Sequence, residues 1–290
     1  MGATLRPVPR VDGSAKRSTV REHLKRKQPV IFEHMIDDWP ATACWAPSWF
    51  AEELGDVEVK LFDFTKTYAI PASMRSFVEW MHGARDGALG VFEQLYLSWD
   101  FSVLKSRPEL REHFDFESLF PRGIGMVHQA FWMGGQGSHT PLHYDLDAPN
   151  LHACISGEKR FLLFGPEQSE LLYPTNIYEW TTQWSAVDFR DPDLARHPKV
   201  EQAVGYEAEL RSGDVLFLPG LWWHAAWCRT PCVSLNGWWY DPRVLVAPRV
   251  LREVVRASLH KVGLYAKDRC TCCGHGDLRR HLAWADAPAS

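Results

Sequence analysis

The stretch HTPLHYDLDAPNLHACISGEKRFLLFGP, residues 139–166, decides how the chain is read. It divides into the runs HTPLHYD, NLHACISG and KRFLLFGP, each short, apolar or aromatic in texture, and closed by turn residues. The same texture starts at Leu95 with LYLSW and HQAFWMGG and continues through YEAELRSGDVLFLPG and VSLNGWWY. Many short strands punctuated by Gly and Pro indicate a β-sandwich or a barrel-like jelly roll.

Outward from that core, the N-terminal side mixes element types. Residues 16–26 are helical in character, PVIF (Pro29 to Phe32) is a short buried strand, and SWFAEELG (Ser48 to Gly55) is a helix with serine at its start and glycine at its end. VEVKLFDF (Val57 to Phe64) alternates like a strand, and MRSFVEWMHGA (Met74 to Ala84) returns to helical periodicity. Residues 1–94 are therefore expected to form an α+β portion packed on a core at 95–241. The segment 173–204, rich in Trp, Asp and Pro, is too irregular for core sheet and is expected to loop over one mouth of the barrel. In the C-terminal part, 242–290, APRVLREVVRASLHKVGL places Val250, Leu251, Val254, Val255, Ser258 and Leu259 on one helical face. That face is expected to be buried, on its own domain or in a homodimer interface.

Composition narrows the classes. The 290 residues suit one large β-rich domain or two small ones, and 32 basic against 36 acidic residues give a net charge of −4. The basic run REHLKRK (Arg21 to Lys27) reads as a solvated helix face, so no stripe for nucleic acid is indicated. No apolar stretch approaches the ~20 residues that span a membrane. The start MGATLRPVPRVDG lacks the apolar core of a secretion signal, and seven irregularly spaced cysteines fit free thiols in a reducing compartment. A cytoplasmic chain without a membrane partner is expected.

His143 and Asp145 stand at i and i+2 of an extended run, a spacing that points both side chains to one side. Such a pair is common by itself. It gains weight from His224, which follows the strand pattern in GDVLFLPGLWWHAAW (Gly213 to Trp227), because a jelly roll can return a late strand beside an early one. Two histidines and one carboxylate on a metal leave three octahedral positions open, as in Fe(II) oxygenases that take a bidentate 2-oxo acid and dioxygen. A 2-oxo dicarboxylate also needs a cation for its far end. SGEKRFLLF offers Lys159 and Arg160, one inward and one outward, and periodicity does not choose between them.

Together HTPLHYDLDAPNLHACISGEKRFLLFGPEQSELLYP, VDFRDPDLARHPKVEQAVGYEAELRSGDVLFLPGLWWH and VSLNGWW resemble the JmjC/cupin-like branch of Fe(II)/2-oxoglutarate-dependent oxygenases. Within it, the resemblance is to the asparaginyl hydroxylase that inhibits hypoxia-inducible factor and to JmjC proteins associated with small heat-shock proteins. It covers residues from about Gln28 to Asp241, including QPVIFEHMIDDWPA in the N-terminal portion. The resemblance implies a mainly β fold with flanking helices around a double-stranded β-helix. It implies Fe(II) as cofactor, with 2-oxoglutarate and dioxygen as cosubstrates, and hydroxylation of a protein or peptide side chain. A tRNA base or small metabolite as substrate, and a non-catalytic cupin-fold binding protein, are the alternatives.

By position the resemblance makes His143, Asp145 and His224 the iron ligands, and it selects Lys159 over Arg160 for the distal carboxylate of 2-oxoglutarate. Thr140 and Tyr96 would support that carboxylate, with Asn150 and Asn236 near the metal-bound end. This sequence has one residue more between Asp145 and Asn150 than the asparaginyl hydroxylase, and His152 stands where that hydroxylase has an aromatic pocket residue; His152 is read as packed, with a hydrogen bond to the cosubstrate as the alternative, and His139 as structural or as a support behind the ligands. Trp222, Trp223, Trp227, Trp238 and Trp239 are read as core or as channel wall. Cys270, Cys272, Cys273 and His275 are too cramped for a zinc site without a second ligand pair, and a redox-sensitive or disordered tail is expected.

Overall fold

The computed structural model describes residues 3–62, 69–83, 95–100, 102–120, 126–145, 148–175, 182–240 and 248–266. The N-terminal elements are β1 (Thr4–Pro7), β2 (Arg10–Asp12), α1 (Arg17–Arg26), β3 (Val30–Glu33), α2 (Pro40–Cys44), α3 (Pro47–Glu53), β4 (Glu58–Phe62), β5 (Ala69–Ser73) and α4 (Met74–Gly83). They are followed by β6 (Tyr96–Asp100), α5 (Ser102–Ser106), β7 (Met126–Gly134), β8 (His139–Asp145), β9 (Asn150–Ser156) and β10 (Glu158–Phe164). The chain continues through β11 (Thr182–Trp184), β12 (Val204–Arg211), β13 (Val215–Leu218), β14 (Trp223–Cys228), β15 (Cys232–Tyr240) and α6 (Pro248–Lys261).

The strands form a six-stranded sheet, ordered β1-β12-β10-β14-β8-β11, and a nine-stranded sheet, ordered β2-β3-β13-β9-β15-β7-β6-β4-β5. From β7 onward the chain shuttles between the two. Strands β8, β10, β12 and β14 lie in the small sheet, and β7, β9, β13 and β15 lie in the large one. Four strands facing four is the jelly roll, or double-stranded β-helix, that the runs of short strands indicated. Tight reversals hold the register. Gly157 turns β9 into β10 at φ 79°, where an added Cβ would stand 2.2 Å from the Pro231 carbonyl oxygen, so only glycine fits.

N-terminal strands extend the large sheet on both edges: β3 pairs with β13, and β6 pairs with β7. Helices α2 to α4 supply rings and aliphatic side chains to the outward face of that sheet. Trp45 and Phe50 lie 6.1 and 5.1 Å from the Phe131 ring of β7. Each such ring contributes roughly 1.5–3 kcal/mol by leaving water. Arg10 closes the seam between the N-terminus and the barrel by donating to both carboxylate oxygens of Asp214, at 2.9 and 2.8 Å.

The structure corrects two expectations. The 173–204 segment does contribute sheet: β11 pairs with the β8 edge, setting Trp184 opposite His143. Its brevity, three residues, gave no readable alternation. The terminal helix α6 buries Val250, Ala257 and His260, whereas Leu251, Val255 and Leu259 are exposed. The buried stripe is therefore rotated from the one expected, because a small alanine and a histidine occupy positions that hydropathy passes over. The cysteine-rich run at 270–275 lies outside the described residues.

Candidate metal centre

A bulge sets which residues of β8 face the lumen. Opposite β14, His143 pairs with His224 and Thr140 pairs with Ala226, so Pro141 and Leu142 together oppose Ala225. The extra residue reverses the parity of the strand. Strict alternation would turn Thr140 away from His143; with the bulge Thr140, His143 and Asp145 share the inner face. Leu142 packs outside with Ala225 and Trp223, and Ala226 packs inside with Phe161.

His143, Asp145 and His224 converge, with one potential ligand atom from each lying within 4.8 Å of the others. His143 Nε2 is 3.8 Å from Asp145 Oδ1, and His224 Nε2 is 3.8 Å from Asp145 Oδ2. Both rings are oriented from behind. His143 Nδ1 donates to the Pro141 carbonyl at 2.7 Å and His224 Nδ1 to the Trp222 carbonyl at 3.0 Å, since a carbonyl can only accept. That fixes the tautomer and leaves the Nε2 lone pairs aimed at Asp145. Burial, aided by the neighbouring His224, pushes His143 down to about 4, so its ring is neutral at physiological pH. The donor set of two imidazole nitrogens and one carboxylate suits a divalent transition metal. Trp184 stacks on His143 with centroids 4.7 Å apart.

Deeper in the lumen Lys159 is 2% exposed. Its Nζ donates to the Tyr96 hydroxyl at 2.7 Å, to His152 Nε2 at 3.0 Å and to Ser234 Oγ at 3.0 Å. All these partners are neutral, and among the described residues no carboxylate pairs with the ammonium. Burial lowers the lysine's proton affinity, and burial with the nearby ammonium drives His152 well below its ordinary value, so the imidazole accepts. Above them Asn236 Nδ2 donates to Asn150 Oδ1 at 3.2 Å and Trp132 Nε1 donates to Asn236 Oδ1 at 2.7 Å.

The two adjacent cations lie on opposite faces of β10. Lys159 points in; Arg160 points out, paired with Glu207, and lines a separate cavity of about 540 Å³ on the outer face of the small sheet. Tyr96, Asn150 and Asn236 line the same lumen as the triad. His139 pairs with Trp227 outside the lumen and takes no part in the cluster. Sequence reasoning did not foresee the His152 and Ser234 contacts to Lys159, nor the bond from Trp238 Nε1 to Asp145 Oδ2 at 3.1 Å. Period-two counting from Asn150 and Asn236 would have placed all three on the inner face, for Asn236 stands opposite His152 and Trp238 opposite Asn150.

The family described as Cupin-like domain matches residues 16–243. HSPB1-associated protein 1 of Homo sapiens is 29% identical over 235 residues, covering 73% of this chain and 48% of the relative. The Homo sapiens protein named bifunctional peptidase and (3S)-lysyl hydroxylase JMJD7 is 28% identical over 256 residues, covering 76% and 79%. The tRNA wybutosine-synthesizing protein 5 of Homo sapiens is 26% identical over 260 residues, covering 80% and 78%. The chain spans about half the length of the first of these relatives.

Proposed function

The chain belongs to the cupin-like (JmjC) domain family, and from that membership we propose that it is an Fe(II)- and 2-oxoglutarate-dependent dioxygenase that hydroxylates a protein or peptide side chain. The observation that carries this reading is the pairing, in one lumen, of the His143, Asp145 and His224 cluster with a buried Lys159 that has only neutral partners. A buried ammonium without a counterion is costly, and a ligand carboxylate would offset that cost.

In this reading His143, Asp145 and His224 hold the metal, and Lys159 with Tyr96 and Thr140 receives the distal carboxylate of 2-oxoglutarate. Asn150 and Asn236 face the other end of the cosubstrate. Bound iron supplies the activation of dioxygen, in which substrate C–H, 2-oxoglutarate and O2 become C–OH, succinate and CO2. The chain itself orients the partners and keeps water out, with the stacked Trp184 and the buried Trp238 closing two sides of the triad.

A protein substrate is favoured by the lysyl hydroxylase named among the relatives and by the acidic charge balance of −4. The tRNA-modifying relative supports RNA as the second reading. We place the chain in the cytoplasm. No helix among the described residues is long and apolar enough to cross a membrane. A homodimer through the terminal helix, the alternative to packing on its own domain, would use the exposed Leu251, Val255 and Leu259, and the mass in solution tests it. Succinate release tests the enzymatic reading. Iron-loaded protein should convert 2-oxoglutarate to succinate and His143→Ala should not; equal release by both would contradict it.

A further inference from the structure

We propose that Trp238 is a positioning residue that holds Asp145 as a one-oxygen ligand and thereby sets how many metal positions stay open. The inference rests on the reading of His143, Asp145 and His224 as a metal centre. It concerns a contact that crosses the lumen: Trp238 belongs to β15 in the large sheet, Asp145 to β8 in the small one.

The indole nitrogen can only donate, and it donates to Asp145 Oδ2 at 3.1 Å. The two carboxylate oxygens are thereby made unequal. Each oxygen faces one histidine at 3.8 Å, Oδ1 toward His143 Nε2 and Oδ2 toward His224 Nε2, but Oδ2 alone carries the indole N–H bond. An oxygen already sharing density with an N–H donor is the weaker partner for a cation, so the metal is directed to Oδ1.

The count of open positions follows. A carboxylate bound through both oxygens, with two histidines, would occupy four of six octahedral positions and leave two. Bound through one oxygen it leaves three, the number that a bidentate 2-oxo acid and dioxygen require together.

The donor is well placed to impose this. Trp238 is 5% exposed and packs with Ala130, Ala148 and Trp132. Its strand is paired on both sides, opposite Asn150 of β9 and His128 of β7. The indole cannot swing away without unpacking that cluster, whereas the Asp145 side chain, 18% exposed, has room to rotate toward it.

The test uses the full chain, Co(II) as probe metal and an unreactive 2-oxoglutarate analogue, without turnover. Trp238→Phe keeps a ring and removes the N–H. The variant should bind Co(II) about tenfold more weakly or worse, as loss of a partner to a metal ligand commonly does. Its Co(II) absorption should change shape, and the Co(II)-loaded variant should lose affinity for the analogue. Matching Co(II) affinity, spectrum and analogue affinity in variant and wild type would overturn the proposal alone. Failure of the wild type to bind Co(II) would overturn the metal centre, and the proposal with it. A second readout does not depend on the Phe variant folding. In metal-free protein, Asp145→Ala should move the Trp238 indole proton resonance and speed its exchange with solvent; an unmoved resonance would overturn the proposed contact.

Discussion

Lys159 Nζ and the Tyr96 hydroxyl lie 2.7 Å apart, bridging the small sheet to the large one across the floor of the barrel. The pair is wholly buried, and the lysine's other partners, His152 and Ser234, are neutral as well. Such an arrangement should cost the protein stability and should favour an anion beside the ammonium.

Replacing that lysine should therefore separate stability from binding. Its proton affinity is lowered by burial in the folded chain, so the unfolded chain binds the proton more readily. Stability then rises with pH from the depressed folded value up to the unfolded value of 10.5. Lys159→Met should stabilise the metal-free protein by about 1 kcal/mol or more, as replacing a buried charge often does. The advantage should shrink as pH rises toward the unfolded value. Thermal unfolding of both proteins across that range is the check, and a destabilised variant would count against an uncompensated ammonium.

His152 predicts an acid limb. Burial, then the charge of Lys159, keeps its ring neutral in the fold, while the unfolded ring takes up a proton near 6.5. A base depressed in the fold leaves full stability above that value and loses it as pH falls below. His152→Leu should flatten the part of the stability curve just under pH 6.5 that this ring contributes. Denaturant titrations at several pH values would show it, and identical slopes for the two proteins would refute the assignment.

Trp184 should matter through its ring. It is 7% exposed and stacks on His143 from the short strand β11. Trp184→Ala should cost about 3 kcal/mol or more by leaving a cavity and should weaken metal binding, whereas Trp184→Phe should retain most of both. Chemical unfolding together with metal calorimetry would distinguish the two variants.

The Arg10–Asp214 pair should hold the N-terminal strands to the barrel. Asp214 is 5% exposed and accepts from the Arg211 backbone N–H as well as from Arg10. The arginine side chain is 37% exposed, so solvent screens its part. Arg10→Ala should cost about 1 kcal/mol, and Asp214→Ala more, because it strands a backbone donor. Amide exchange in β2 and β3 should rise in both.

Much of the core was legible in the sequence wherever a strand keeps its own period. NLHACIS and EKRFLLF alternate or run apolar over a full strand, and β9 and β10 fall where those runs lie. The strands β1 and β2 were not foreseen, since TLRP and RVD carry no alternation and owe their pairing to β12 and β3. The convergence of His143 and Asp145 was visible at spacing two. Their sharing a face with Thr140 was not, because it depends on the bulge at Pro141 and Leu142, which only the partner strand reveals. The contacts made by His152, Ser234 and Trp238 were not foreseen for a related reason: each is a cross-sheet contact that a single strand's pattern does not contain.

The central claim is that the triad and Lys159 form two ends of one binding site. Calorimetry with an unreactive 2-oxoglutarate analogue tests it directly, using wild type, Lys159→Met and Asp145→Ala, each with and without Mn(II). The account predicts that Mn(II) tightens analogue binding to wild type, that Lys159→Met loses tenfold or more of that affinity, in line with a hydrogen bond to a charged group of about 1.5–3 kcal/mol, and that Asp145→Ala loses the response to Mn(II). Binding that ignores both Mn(II) and the loss of Lys159 would contradict it.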